Sequence, residues 1–265
     1  MRLNGCHALI TGASSGIGRE FARQLAARAG LLVLVARRLD LLEELRAELA
    51  GAHPQLRLEI RRTDLTNDNE IEALLAWLQS ENLAPDFLIN NAGLGDLGAF
   101  ATADPEKLDR MMLVNIVGLT RLTRGLLPAM IAQNRGAIVN VSSSAGFLPL
   151  VNFAVYAATK AYVTSFSEAL RSEVRAHGVD VTALCPGPVR TGFTEVAQRN
   201  KSDAELGPAL VYVSVENVVA AALRGVQARR AIVIPGLAMK IGMALVRLTP
   251  MPVLRLASRF NAKSA

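Results

Sequence analysis

Along this chain, short apolar runs alternate with helix-periodic stretches about every thirty residues. Ala8-Leu9-Ile10 and Phe87-Leu88-Ile89 are apolar on both faces of an extended backbone, as strands buried inside a sheet require. Runs of this kind predict strands at 7–11, 31–36, 56–61, 86–90, 136–142, 179–184 and 230–234. Helices are predicted to begin near Gly16, Leu39, Asn67, Pro105, Phe153 and Glu216. The first shows Phe21, Leu25 and Ala29 at helical spacing across 19–29. Repeated βα units of this spacing predict an α/β fold on a parallel sheet. No linker, long repeat or low-complexity stretch interrupts them, so one domain spanning 1–265 is expected.

Composition narrows the class. With 265 residues and 51% hydrophobic content, the chain can bury a large core without disulfide staples. Cys6 and Cys185 sit at strand ends and read as small buried side chains. His7, His53 and His177 are too scattered for a metal site, so no metal is implied. His177 precedes Gly178 at a helix end, where histidine meets terminal carbonyls. The first strand begins within a few residues of Met1, which predicts no signal peptide and a reducing cytoplasmic location. Net charge is +6 and the isoelectric point about 9.8. No recognition motif or aromatic–basic interleaving accompanies that charge, so nucleic acid is not an expected partner.

The chemistry concentrates in three places. Tyr156 and Lys160 are four residues apart in a predicted helix, so phenol and ammonium share one face. A nearby positive charge favours the phenolate, which would bring the group toward use as a general acid–base. Ser143 precedes Tyr156 by thirteen residues. Nearer the start, Thr11-Gly12-Ala13-Ser14-Ser15-Gly16-Ile17-Gly18 forms a glycine-rich turn between a strand and a helix. Glycines there let backbone approach a pyrophosphate, and the helix terminus supplies free N–H groups. Asn90-Asn91-Ala92-Gly93 directly follows the fourth predicted strand.

Together these stretches resemble the short-chain dehydrogenase/reductase family. The resemblance runs from about Cys6 to Thr191. It also includes Asp64-Leu65, Asn115 within Val114-Asn115-Ile116-Val117-Gly118, Ser142-Ser143, and Pro186-Gly187-Pro188-Val189-Arg190-Thr191. It implies a doubly wound Rossmann-type domain with a predominantly parallel seven-stranded sheet and helices on both faces. It implies hydride transfer between nicotinamide and a carbonyl or alcohol. Tyr156 would exchange the proton, Ser143 would donate to the same substrate oxygen, and Lys160 would lower the tyrosine pKa and bond the nicotinamide ribose. Asn115 would hold a water linking the lysine to solvent. The glycine turn (Gly12, Ser14, Ser15, Gly16, Ile17, Gly18) would hold the cofactor. Asp64 and Leu65 would meet adenine, and Asn91 with Ala92 and Gly93 the adjoining ribose region. Pro186 and Gly187 would lead into Val189 and Thr191 at the carboxamide.

Cofactor choice follows from charge. Arg37-Arg38 stands where an acid would hold the ribose 2′-OH of NAD, and the nearest carboxylate, Asp40, lies beyond this turn. A 2′-phosphate suits an arginine, so Arg37 and NADP are expected, with NAD less favoured. The family's other NADP marker, a basic residue before the second glycine, is replaced by Ser15. Apolar Phe147-Leu148-Pro149-Leu150-Val151, Phe153, Leu94 and Leu97 predict a hydrophobic substrate, and the resemblance implies a lid over it at 192–212. The resemblance implies a homodimer or homotetramer through the helices at 105–133 and 154–177, with Ala157, Ala158, Ala161 and Phe166 as contact candidates. A catalytically silent cofactor sensor or scaffold is the alternative, disfavoured because Ser143, Tyr156, Lys160 and Asn115 are all kept.

After Glu216 the chain has no acid but carries Arg224, Arg229, Arg230, Lys240, Arg247, Arg255, Arg259 and Lys263. The segment 237–265 is expected to pack over the cleft or a partner, because Pro250 and Pro252 break any long amphipathic helix. A peripheral membrane contact is the competing arrangement.

Overall fold

The computed structural model describes residues 3–190, 192–193, 197–199, 211–250 and 252–254. Seven strands run β1 His7–Thr11, β2 Leu31–Ala36, β3 Arg57–Arg62, β4 Phe87–Asn90, β5 Gly136–Val141, β6 Val179–Leu184 and β7 Ile232–Val233. They form one sheet in the order β3-β2-β1-β4-β5-β6-β7, and every pairing is parallel. The predicted strands match within a residue or two, save that 230–234 contracts to Ile232–Val233.

Alternation along the strands decides which helices cover which face. Ala8, Ile10, Leu32, Leu34 and Ile89 point to one side, where they meet Phe21 and Leu25 of α1 (Gly16–Ala26) and Leu42 and Leu45 of α2 (Leu39–Ala52). Val218, Val219 and Ala222 of α7 (Val215–Gln227) join the same cluster. Leu9, Val33, Val35, Leu88 and Ile138 point the other way. They meet Leu74 of α3 (Asp68–Ser80), Leu122 of α5 (Leu119–Ala132) and Leu170 of α6 (Ala154–Val174). An apolar strand buried on both faces is what sandwiching between helices demands. The edge strand β3 is different: Arg57, Glu59, Arg61 and Arg62 break its apolar run, and charges of this kind guard an open sheet edge.

Local capping explains several boundaries. Asn67 accepts from the Asn69 N–H at the start of α3, and Ser214 from the Asn217 N–H at the start of α7. Asp104 caps α4 (Pro105–Met112), whose first residue is the proline that a helix start tolerates. The first helix begins at Gly16 and ends at Ala26, so Ala29 falls in the loop after it. The long helix predicted from Pro105 is not uniform: Leu113–Gly118 forms a π-helical turn between α4 and α5. Such turns usually mark a functional position, and this one carries Asn115. The last helix, α8, spans Leu237–Leu248 and stops before Pro250.

The fold positions its chemistry by topology. Chain order reverses between β1 and β4, and the C-terminal ends of β1, β4, β5 and β6 lead into the glycine turn, Asn91, Ser142-Ser143 and Cys185-Pro186. A crevice at that edge is where parallel sheets of this kind hold ligands.

Candidate active site

One cavity of about 910 Å³ runs along this edge. Its walls include Gly12, Ser14, Ser15, Gly16 and Ile17 at one end, and Ser143, Tyr156 and Lys160 further in. Of the predicted cofactor contacts, Arg37, Asp64, Leu65, Asn91, Ala92, Gly93, Pro186, Gly187 and Val189 also line it. Gly18 and Asn115 lie behind the wall, and Thr191 falls outside the described residues.

The glycine turn is clamped to β4. Thr11 Oγ1 accepts from the N–H groups of Asn91 and Ala92, both at 3.0 Å, while Asn91 Nδ2 donates to the Thr11 carbonyl at 2.9 Å. The Asn91 amide nitrogen thus holds the turn, while the residue also lines the cavity. Gly12 has φ +65° and leaves no room: a Cβ there would lie 2.8 Å from Asn91 Nδ2 and 2.9 Å from Ala92 Cα. Only glycine satisfies both conformation and space. This bare backbone at a helix N-terminus is a cradle that a side chain would fill, and it fits a pyrophosphate.

The two arginines separate. Arg38 Nη2 donates to Ser14 Oγ at 3.1 Å and to Ser15 Oγ at 2.8 Å. Arg37 turns to Asp64, 3.9 Å away. A guanidinium from the end of β2 thus lies beside Ser15. Both Arg37, the expected contact, and its neighbour Arg38 line the cavity.

At the inner end, α6 lies against β5. The Lys160 ammonium donates to the Val141 carbonyl at 2.8 Å and is only 4% exposed. Ser142 Oγ donates to the Lys160 carbonyl at 2.8 Å, and Thr164 shares that acceptor at 3.0 Å. Burial pushes the Lys160 pKa down to about 8. Burial likewise pushes the Tyr156 phenol up to about 12, against a smaller opposing effect from its hydrogen bond with Ser143. The lysine stands 5.7 Å from the tyrosine ring centroid. Burial is the larger of the two effects on the phenol, which therefore stays protonated at neutral pH.

Asn115 is fixed by backbone and hydroxyl partners. Its Oδ1 accepts from the Leu94 N–H at 2.8 Å, and its Nδ2 donates to the Leu94 carbonyl at 2.9 Å and to Thr159 Oγ1 at 3.0 Å. Gly93 lies against both Asn115 Oδ1 and Lys160 Nζ. The π turn thus ties the Asn91-Ala92-Gly93 loop to α6.

The surroundings of Tyr156 are apolar. Phe153 stacks on its ring at 4.4 Å between centroids, and Phe193 tilts against it at 5.5 Å. Leu94, Leu97, Leu148, Leu150, Val151, Met239 and Met243 complete that end of the cavity. Phe147, expected in this wall, instead lies under the Arg247 guanidinium at 5.8 Å.

A latch the sequence did not reveal pins part of the predicted lid. Asp96, with a 2% exposed side chain, pairs with Lys107 at 3.0 Å and with Arg199 through both carboxylate oxygens. Arg199 also donates to the Ala99 carbonyl at 2.7 Å, and the Leu97 N–H to the Ala197 carbonyl at 2.8 Å. Hydrogen bonding from Arg199, foremost, holds the Asp96 carboxyl below the usual range.

Comparison with known proteins agrees with this geometry. Residues 6–202 match the family model for short chain dehydrogenases. A sulfoacetaldehyde reductase of Chromohalobacter salexigens is 41% identical over 193 residues, 71% of this chain and 74% of that protein. A short-chain dehydrogenase from Sphingobium yanoikuyae, solved with NADPH, is 34% identical, with 88% of each chain covered and a TM-score of 0.79. A short-chain dehydrogenase/reductase from Burkholderia phymatum, solved with NAD, is 28% identical, with 94% of each covered and a TM-score of 0.80. This chain belongs to the short-chain dehydrogenase family of oxidoreductases, whose members act on CH–OH and C=O groups. Among its first curated relatives, the matched stretch spans 58%, 74% and 31% of their own length.

The depressed Lys160 pKa has a consequence for stability. Below pH 8 the folded chain carries a poorly solvated ammonium, and between about 8 and 10.5 it sheds a proton the unfolded chain retains. Stability contributed at this position therefore rises with pH across that window. Urea unfolding midpoints measured against pH should climb more steeply in the wild type than in Lys160→Met. Parallel curves would contradict the assignment.

Proposed function

We propose that this chain is an NADP(H)-dependent oxidoreductase that interconverts an apolar ketone or aldehyde and its alcohol. The observation that carries the reading is the continuity of one cavity from Arg38 and the bare Gly12 turn to the Ser143–Tyr156–Lys160 group. Bound nicotinamide supplies or accepts the hydride. The chain's own residues orient the reactants, move the proton and exclude water. A protonated phenol held near pKa 12 is the form that can donate to a carbonyl oxygen. Ser143, hydrogen-bonded to that phenol, provides a second donor to the developing alkoxide. The Lys160 ammonium, still mostly charged at neutral pH, favours the phenolate that proton transfer leaves behind. Asn115 acts through the Leu94 backbone and Thr159, holding the loop against α6.

Substrate class follows from the wall. Phe153, Phe193, Leu148, Leu150, Met239 and Met243 offer no charged partner to a carboxylate or sulfonate, so an apolar carbonyl compound fits better than an acid. For cofactor choice, the Arg38 guanidinium beside Ser14 and Ser15 supports NADP over NAD, and the Asp64 carboxylate is paired with Arg37 at 3.9 Å. A two-fold assembly is supported by the outer face of α6, where Ala158, Ala161 and Tyr162 are exposed. Ala157 is buried within the chain and Phe166 packs on its core.

Two variants test the reading. Tyr156→Phe keeps the ring and its stacking on Phe153, so it should bind NADPH as the wild type does. Its turnover with apolar ketones should fall about 10²- to 10⁴-fold. Turnover near the wild-type value would remove the phenol from the mechanism. Arg38→Asp should raise the Kd for NADPH by roughly ten- to a hundredfold, through loss of a charge-assisted contact and gain of a repulsive one. NADH should change far less, and Arg37→Asp should do less than Arg38→Asp. Fluorescence titration giving equal shifts for both cofactors would overturn the NADP assignment.

A further inference from the structure

Ten large apolar side chains stand exposed among the described residues, and half of them fall in one short C-terminal stretch. They are Leu237 (74%), Ile241 (54%), Leu245 (62%), Leu248 (82%) and Val253 (54%). The first four recur at spacings of four, four and three along α8, so they form one continuous stripe. Ala244 is exposed within the stripe, and Lys240 and Arg247 are exposed along one flank. The opposite side of α8 carries Met239 and Met243, buried and lining the cavity beside Gly187. The helix is thus apolar on both sides: inward it lines the cavity, and outward its large apolar side chains are mostly exposed.

We infer that the outer face of α8 docks on an anionic lipid surface, with the helix lying in the plane of the interface. Charge decides between occupants. After Glu216 the sequence carries eight cations and no acid, and the only charges on α8 itself are Lys240 and Arg247. A second copy meeting the same face about a two-fold axis would set these cations against themselves. An anionic bilayer supplies both what the stripe and what its flank require: acyl chains for the leucines and phosphate groups for Lys240 and Arg247. The geometry fits lying flat rather than crossing. Twelve helical residues extend roughly 18 Å, against about 30 Å of hydrocarbon. No described helix is long and apolar enough to span a membrane. Resting on the substrate class proposed above, this docking brings a wall of the cavity to the lipid surface, where an apolar carbonyl compound concentrates.

The test uses the full chain with two kinds of vesicle, phosphatidylcholine alone and phosphatidylcholine mixed with phosphatidylglycerol. Co-sedimentation is expected with the mixed vesicles, to weaken as salt is raised, and to be slight with phosphatidylcholine alone. Ile241→Ser combined with Leu245→Ser changes only exposed side chains. It should lower partition by on the order of a hundredfold or more, given the apolar surface removed. NADPH titration and lipid-free turnover of a water-soluble ketone, read on the same samples, should be unchanged by the double variant. Those two readings also separate failure of the docking from failure of the proposed activity. Vesicle binding that ignores lipid charge, or that survives the double variant, would overturn the inference. So would absence of vesicle binding together with self-association that the double variant abolishes, which would make the stripe a contact between copies.

Discussion

The buried ammonium of Lys160 constrains everything around it. Removing a positive charge from water is costly unless polar partners meet it, and here the Val141 carbonyl at the end of β5 does so. That bond fixes α6 against the sheet at the point where Ser142 and Ser143 leave β5. The seam continues away from the cavity through a buried chain of hydrogen bonds. Asn90 donates to Asn140 and Thr123, and Asn140 donates to Ser167, each at 2.9 Å. In a low-dielectric interior such a network tolerates little slippage, because any shift strands a polar group. Tyr156, one turn before Lys160, therefore has its position dictated by the lysine. The same burial that raises the phenol's pKa keeps it in the protonated form.

A second fixture holds the far end of the cavity. Thr11 and Asn91 join β1 to β4 at the reversal in strand order, and glycine at position 12 keeps that junction free of side chains. The π turn at Asn115 connects the two fixtures by gripping the Leu94 backbone from one side and Thr159 of α6 from the other. One rigid frame thus spans from the Arg38 guanidinium to the Tyr156 phenol. The apolar wall beyond Tyr156 is less uniform in origin. It combines the loop after β4, residue Phe193 and the inner face of α8, elements far apart in sequence. A fixed reaction centre beside an assembled wall is how one scaffold serves many substrates.

Much of this was legible in the sequence because it is encoded locally. Strand limits follow from apolar runs bounded by glycine and polar residues, and Tyr156 with Lys160 follows from helical spacing. Cooperative details were not legible. Nothing in Val114-Asn115-Ile116 marks a π turn, since that depends on how the helix meets the loop after β4. Arg37 and Arg38 are equivalent as text, and only the end of β2 decides which side chain returns to Ser15. The Asp96–Arg199 pair joins residues over a hundred positions apart. The upward push of burial on the Tyr156 phenol was not legible for a related reason: a charge partner is visible in sequence, whereas the degree of burial is not. In α8, helical periodicity offered two arrangements as rivals, but methionines and leucines occupy opposite sides, so the helix has room for both contacts.

The central claim is that the Ser143–Tyr156–Lys160 group and the glycine cradle serve one hydride transfer. The most direct measurement follows the hydrogen itself, using NADPH deuterated at the transferring C4 position and a panel of bulky apolar ketones. The account predicts that mass spectrometry finds the deuterium on the carbinol carbon of the product alcohol. NADPH that binds tightly yet passes no label to any carbonyl compound in the panel would contradict it.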